Sequence, residues 1–118
     1  MKSIIREALD VYVCLEGRVT QWDIRDIIYV EHRSRAVFVY TVTDILCIPY
    51  LSLGQVHRAL GDDYLFQCHR SFLVNRVHIE RIDRTENYIE LKNNRGRVSM
   101  GRKYRSEFLK NMHLVRRF

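Results

Sequence analysis

Short runs of β-branched and aromatic residues recur along this chain, and each is closed within a few positions by a turn signal. That spacing favours short strands over long helices. Residues 10–15 (Asp-Val-Tyr-Val-Cys-Leu) read as a strand that Glu16-Gly17 turns into a second at 18–20. Further strands are expected at 27–30, 36–41, 45–48, 72–74, 77–79, 88–91 and 97–100, with a polar break over 31–35 and a turn at Thr43-Asp44. Pro49 ends one of them because it has no N–H to give to a ladder. The loop Asn93-Asn94-Arg95-Gly96 joins the last two, with a glycine able to take positive φ. About ten residues precede the first expected strand.

Two helical patterns interrupt the strands. Ser52 is placed to cap, with Gln55 three positions on as its reciprocal partner and Leu51 stapled onto Val56. Leu53, Val56 and Leu60 then share one face, and Gly61 can end the helix with a left-handed residue. The second helix is expected over 103–111, with Tyr104, Phe108 and Met112 four apart on one face. The expected fold is therefore mainly β with two short helices. At 118 residues the chain is expected to be one domain, 1–118, with its core at about 10–113.

Charge is unevenly spread. Residues 1–67 hold seven Lys and Arg against nine Asp and Glu, net −2, whereas residues 68–118 hold thirteen against five, net +8. Sixteen of the twenty basic residues are arginine, whose planar fork suits phosphates and guanine edges. A concentrated, arginine-dominated half points to a polyanion.

Other chemistries lack their motifs. There is no Walker-type or dinucleotide glycine loop, no H-E-x-x-H and no paired-cysteine zinc pattern. No cofactor or metal is expected, and no enzyme. Cys68 and His69 are adjacent on a strand, so their side chains diverge. A thiol of lowered pKa beside His69 and Arg70 is a rarer arrangement than a plain buried strand cysteine. The three scattered cysteines, Cys14, Cys47 and Cys68, suit a reducing compartment, with small buried thiols as core. The early charges Lys2, Arg6 and Glu7 do not suit a signal peptide, and a cytoplasmic location is expected.

What remains is a set of basic, polar loops: His32-Arg33-Ser34-Arg35; Cys68-His69-Arg70-Ser71, running on to Asn75-Arg76; and Gly101-Arg102-Lys103 at the start of the last helix. Each mixes arginine with small donors that suit phosphate oxygens, and arginine and asparagine also read base edges. Singly, such a loop is an ordinary solvated turn; three in one chain favour nucleic acid.

The second loop carries a resemblance. The segment 66–82, FQCHRSFLVNRVHIERI, resembles the signature of the LytTR DNA-binding domain, an F-x-x-x-H-x-S-F/Y-hydrophobic-V-N followed by I-x-x-I. Asp26-Ile27-Ile28-Tyr29-Val30-Glu31 is similar to that family's D-I-x-Y-I-E strand. Leu51-Ser52-Leu53 is similar to its S-L-x-x-L-E segment, and Val98-Ser99-Met100-Gly101-Arg102-Lys103-Tyr104 to its closing S-R-x-Y box. The match spans residues 10–113, nearly the whole chain.

The resemblance implies an elongated stack of small, mostly antiparallel sheets with short helices. It implies double-stranded DNA as partner, bound through loops that enter successive major grooves, bend the duplex and read direct repeats, with pairing of two copies there. By position, His32, Arg33, Ser34 and Arg35 reach one groove, Arg70 lies near the intervening backbone or a base, and Arg102 reads a base in the second groove. The family's closing-box Ser is Gly101 here, with Ser99 two positions earlier, so Ser99, Gly101, Arg102 and Lys103 all stay on the DNA-binding list. His69 and Asn75 are expected to hold the loop by hydrogen bonds, and Ser71 to serve either role. The family's usual phospho-acceptor receiver domain is not expected in so short a chain. Control is then expected from a receiver elsewhere in a longer protein, or from a membrane-bound inhibitor of a stand-alone regulator. The alternative is a basic β-rich module that binds RNA or a protein. A single-stranded RNA module needs exposed aromatics on a sheet face, and Tyr12, Phe38, Tyr40, Phe72 and Tyr88 are expected in the core instead.

Overall fold

In the computed structural model, which describes residues 2–112, the strands form three antiparallel sheets. The first contains β1 (Lys2–Glu7), β2 (Asp10–Leu15) and β3 (Arg18–Asp23) in that order. The central sheet contains β4 (Ile27–Arg33), β5 (Ala36–Thr41), β6 (Ile45–Pro49), β7 (Leu65–His69) and β8 (Phe72–Asn75), in the order β6-β5-β4-β8-β7. The last contains β9 (Ile79–Asp83), β10 (Tyr88–Leu91) and β11 (Arg97–Ser99), in the order β11-β10-β9. Helix α1 (Leu53–Leu60) follows β6, and α2 (Arg102–Asn111) follows β11. The described residues extend 47 × 27 × 25 Å, in keeping with a stack of small sheets.

The central sheet has a core on each face, which explains its nearly continuous apolar strands. One core joins Val30, Val37, Val39, Ile48 and Leu73 to Val11, Val13 and Trp22 of the first sheet and to Val56 and Leu60 of α1. The other joins Cys68 and Val74 to Ile89 and Val98 of the last sheet and to Phe108 and Leu109 of α2. A register shift between Ile27 and Tyr29 lets one strand serve both. Ile27 and Val30 enter the first core, while Ile28 enters the second with Tyr29 packed against it. An irregularity of this kind re-aims a side chain that strict alternation would send the other way.

The cap of α1 forms as its sequence suggests. The Ser52 N–H donates to Gln55 Oε1 at 2.9 Å, and the Gln55 N–H donates to Ser52 Oγ at 3.1 Å. Gly61 follows with φ +82° and ψ 178°, a positive-φ conformation but not the left-handed helical one, and essentially confined to glycine.

Several expectations need correction. The strand Lys2–Glu7 precedes the first one expected. It pairs with β2 over its whole length, and Ile4 packs on the core. The polar stretch 31–35 is no break, because β4 runs through to Arg33 and turns back at once. Residues 77 and 78 are not in a strand: Arg76–His78 is a 3₁₀ turn, capped by Asn75, that leads into β9 at Ile79. Tyr12, Phe38, Tyr40, Phe72 and Tyr88 are all half-buried; Phe72 packs against the second core as expected, whereas the other four lie outside both cores. Of the cysteines only Cys68 is buried; Cys47 is exposed and Cys14 half-buried.

Candidate nucleic-acid interface

The three basic loops come together along one end of the central sheet. The β4–β5 turn and the β7–β8 turn are neighbours because β4 pairs with β8, Glu31 lying opposite Phe72. Beyond the last paired residues, the His32 N–H donates to Ser71 O at 2.9 Å and locks one turn to the other. The Gly101 N–H donates to Cys68 O at 2.8 Å, which brings the start of α2 beside the end of β7. At strand spacings of about 4.8 Å, the row from the first turn to Gly101 spans roughly 15–20 Å of backbone.

Within the first turn the four expected residues take different positions. Arg33 pairs with Ala36, so Ser34 and Arg35 are the two central residues, both with positive φ, +51° and +61°. This suits the twist of a two-residue hairpin, although Asn-Gly satisfies it with less strain. The carbonyl of Arg35 accepts from the Tyr50 N–H at 2.7 Å, and Lys2 donates to the carbonyls of Pro49 and Tyr50 behind it. Arg33 is held back: its guanidinium lies 3.8 Å from the Phe38 ring centroid and donates to Glu31 at 3.2 Å. Arg35 is exposed and has no carboxylate partner among the described residues. His32 is half-buried.

In the second turn Arg70 is exposed and Ser71 half-buried. His69 Nδ1 accepts from the Ser71 N–H at 3.0 Å, and its ring tilts against Phe72 at 5.1 Å. A neutral ring that accepts at Nδ1 carries its proton on Nε2. The other face of His69 meets the third loop, where a Cβ on Gly101 would lie 3.4 Å from His69 Cδ2. Gly101 is the N-cap of α2 and offers no side chain to the first N–H groups, while Arg102 and Lys103 stand exposed on its first turn. Ser99 is exposed on β11. Exposed N–H groups at a helix start favour an anion, the more so with basic side chains beside them.

Asn75 sits elsewhere. It is fully buried at the end of β8 remote from the turn, and it donates to Ile24 O at 3.0 Å and Ile27 O at 2.8 Å. Its Oδ1 accepts from the Val77 N–H at 3.2 Å. These bonds tie β8 to the β3–β4 connection at Ile24 and to the start of β4 at Ile27, not to the basic turn. Cys68 is buried, which pushes its thiol up to about 12, away from a reactive thiolate. Among the described residues no cluster of three or more His, Cys, Asp and Glu could hold a metal ion.

The tie from Tyr50 to Arg35 and the support from Lys2 are not legible in the sequence, because both join residues some 15 to 48 positions apart through backbone carbonyls. The half-buried aromatics of the central sheet are already engaged. Tyr29 stacks on Tyr40 with centroids 4.2 Å apart, and Arg33 covers Phe38. They do not offer the free ring faces on which single-stranded bases stack.

Comparison with known proteins identifies the family. The family model described as LytTr DNA-binding domain matches residues 17–113. Transcriptional regulatory protein YpdB of Escherichia coli K12 is 30% identical over 115 residues, covering 95% of this chain and 47% of that protein. Its counterpart in E. coli strain CFT073 is also 30% identical, with 46% of its length covered. The chain thus spans about half the length of these relatives. Among solved structures, a LytTr DNA-binding domain from Bacillus cereus, of a protein described as a methyl-accepting/DNA response regulator, shares the fold. Its TM-score is 0.75 at 24% identity, covering 90% of this chain and 98% of that one. With its stacked antiparallel sheets, its row of basic turns and a family match over most of its length, the chain belongs to the LytTR family of DNA-binding domains.

Proposed function

We propose that this chain is a sequence-specific, double-stranded-DNA-binding transcriptional regulator that grips the duplex with its row of basic turns. The observation that carries this is the convergence of the three loops through the His32–Ser71 and Gly101–Cys68 backbone bonds. Arg35 enters one major groove, Arg70 and Ser71 meet the backbone between, and Arg102, with Lys103 beside it, reads a base in the next groove. Ser34, Ser99 and the start of α2 at Gly101 take phosphates, and His32, Arg33 and His69 shape the turns. With extended arginines at both ends, the row approaches the ~34 Å between major grooves on one face of a duplex. Bending the DNA toward the protein closes the remaining gap. Two copies bound head to tail on the duplex, as the family resemblance implies, read direct repeats in a promoter. The setting is the cytoplasm, and control comes from a receiver domain in a longer protein or from a membrane-bound inhibitor.

The test is selection of binding sites from random duplex DNA, followed by titration of the selected site. Affinity should fall tenfold or more between 50 and 200 mM salt, as expected for roughly a few phosphate contacts. Arg102→Ala should weaken the selected site by about 1–3 kcal/mol and relax the preference at one base pair. A flat salt response, or tighter binding to single-stranded RNA, contradicts the proposal.

A further inference from the structure

Beyond the three turns, the outer face of the last sheet carries an arginine with a built support. Arg97 of β11 is exposed, and its guanidinium lies 4.5 Å from the ring centroid of Tyr88 on the neighbouring strand. Among the described residues it makes no ion pair, unlike Arg81 across the same sheet, which is engaged by Glu80 and Glu90. Arg97 and Tyr88 line a shallow groove of about 380 Å³ with Ser99, Asn87 and Glu86. The groove is tied to the third basic loop: the Met100 N–H donates to Asn87 O at 2.9 Å, and Arg105 of α2 donates to Asn87 Oδ1 at 2.6 Å. From Arg97 to Gly101 the chain can span at most about 13 Å, some four phosphate spacings of one strand along the duplex axis.

We infer that this groove is a further DNA-backbone site, in which Arg97, supported by the Tyr88 ring, and Ser99 hold a phosphodiester flanking the base read by Arg102. The inference rests on the proposed duplex binding and extends its footprint onto the last sheet. A guanidinium laid on an aromatic face keeps its N–H edges free for an anion and loses little freedom on binding. Glu86 on the groove wall opposes an anion, so the phosphate is placed at the Arg97–Ser99 side, and Glu90, opposite Arg97 in register, is engaged by Arg81. Tyr88 acts through Arg97 and is a positioning residue; its ring matters and its hydroxyl does not.

The experiment uses the full chain with two duplexes, the selected site and a scrambled sequence of equal length, titrated across a salt series. Arg97→Gln should weaken both duplexes alike, roughly tenfold at low salt, and reduce the slope of log affinity against log salt by about 1. Tyr88→Leu should reproduce part of that loss, and Tyr88→Phe should restore it. Arg18→Gln, which removes the same charge from β3 of the first sheet, should change neither quantity. An unchanged slope for Arg97→Gln, a loss confined to the selected site, equal losses for Tyr88→Leu and Tyr88→Phe, or an equal loss for Arg18→Gln overturns the inference. Failure of the unsubstituted chain to bind either duplex overturns instead the proposed function.

Discussion

Replacing Asn75 tests how the sheets are joined. The side chain is fully buried and makes three hydrogen bonds, two as donor to Ile24 O and Ile27 O and one as acceptor from the Val77 N–H. Asn75→Ala removes all three bonds; Ile24 O keeps the Ile27 N–H as a donor, while the buried carbonyl of Ile27 and the half-buried N–H of Val77 lose this partner. At a net of about 1 kcal/mol per bond, the loss is about 3 kcal/mol. For a chain of this size that lowers the unfolding midpoint by roughly 12 °C. Asn75→Asp is the sharper test, because it keeps the acceptor for Val77 but sets an anionic oxygen against two carbonyl oxygens. It should be less stable than Asn75→Ala at pH 7, with the gap narrowing in acid as the carboxyl regains a proton to donate. Urea unfolding of the three proteins measures this. Because Asn75 lies at the end of β8 remote from Arg70, the folded variants should bind duplex DNA within about twofold of the parent, well under the 1.4 kcal/mol of a tenfold change. An Asn75→Ala loss below about 0.5 kcal/mol, or Asn75→Asp more stable than Asn75→Ala, refutes the reasoning.

Other substitutions probe separate parts. Ser34→Asn with Arg35→Gly relieves two positive-φ residues and should stabilise the chain by roughly 1 kcal/mol or more while weakening DNA binding, as read by thermal melts and titration together. Gly61→Ala places a side chain at φ +82°, 3.1 Å from Arg6 Nη1, and should lower stability by more than about 1 kcal/mol in the same melts. Maleimide should label Cys47 quickly in the folded protein and Cys68 only on unfolding, since burial holds the Cys68 thiol protonated; peptide mapping distinguishes them. The Arg6 guanidinium, hydrogen-bonded to Asp63, holds that carboxyl below its usual range. Its contribution is therefore present above the unfolded carboxyl pKa of about 4 and lost as pH falls through the lower folded value. Arg6→Gln should remove that part of the acid destabilisation in a pH series of melts.

Much of the architecture was legible because the chain signals it locally. The capping box at Ser52 and Gln55, the turn at Glu16-Gly17 and the loop ending in Gly96 need only neighbours in sequence. Strand β1 is not legible in the sequence because Ser3-Ile4-Ile5-Arg6 has too few apolar positions to stand out, and it is held by β2 and by Arg6 reaching Asp63 and Leu60 O. The stretch 31–35 reads as a loop because its polar residues lie at the tip of a hairpin, where strand and solvent meet. The loops themselves were recognisable from composition. Their convergence was not, since it depends on β4 pairing with β8 across some forty residues. The retraction of Arg33 onto Phe38 likewise needs the β4–β5 register, which puts both on one face.

If the three basic turns form one surface for duplex DNA, they respond to it together. Backbone amide shifts, followed by NMR as the selected duplex is added to the full chain, test it residue by residue. The largest changes are expected at residues 32–35, 69–71 and 101–103 together, with the outer face of the first sheet around Tyr12 and Val19 unmoved. Changes centred on Phe38, Tyr40 and Ile45 with the turns silent would contradict it.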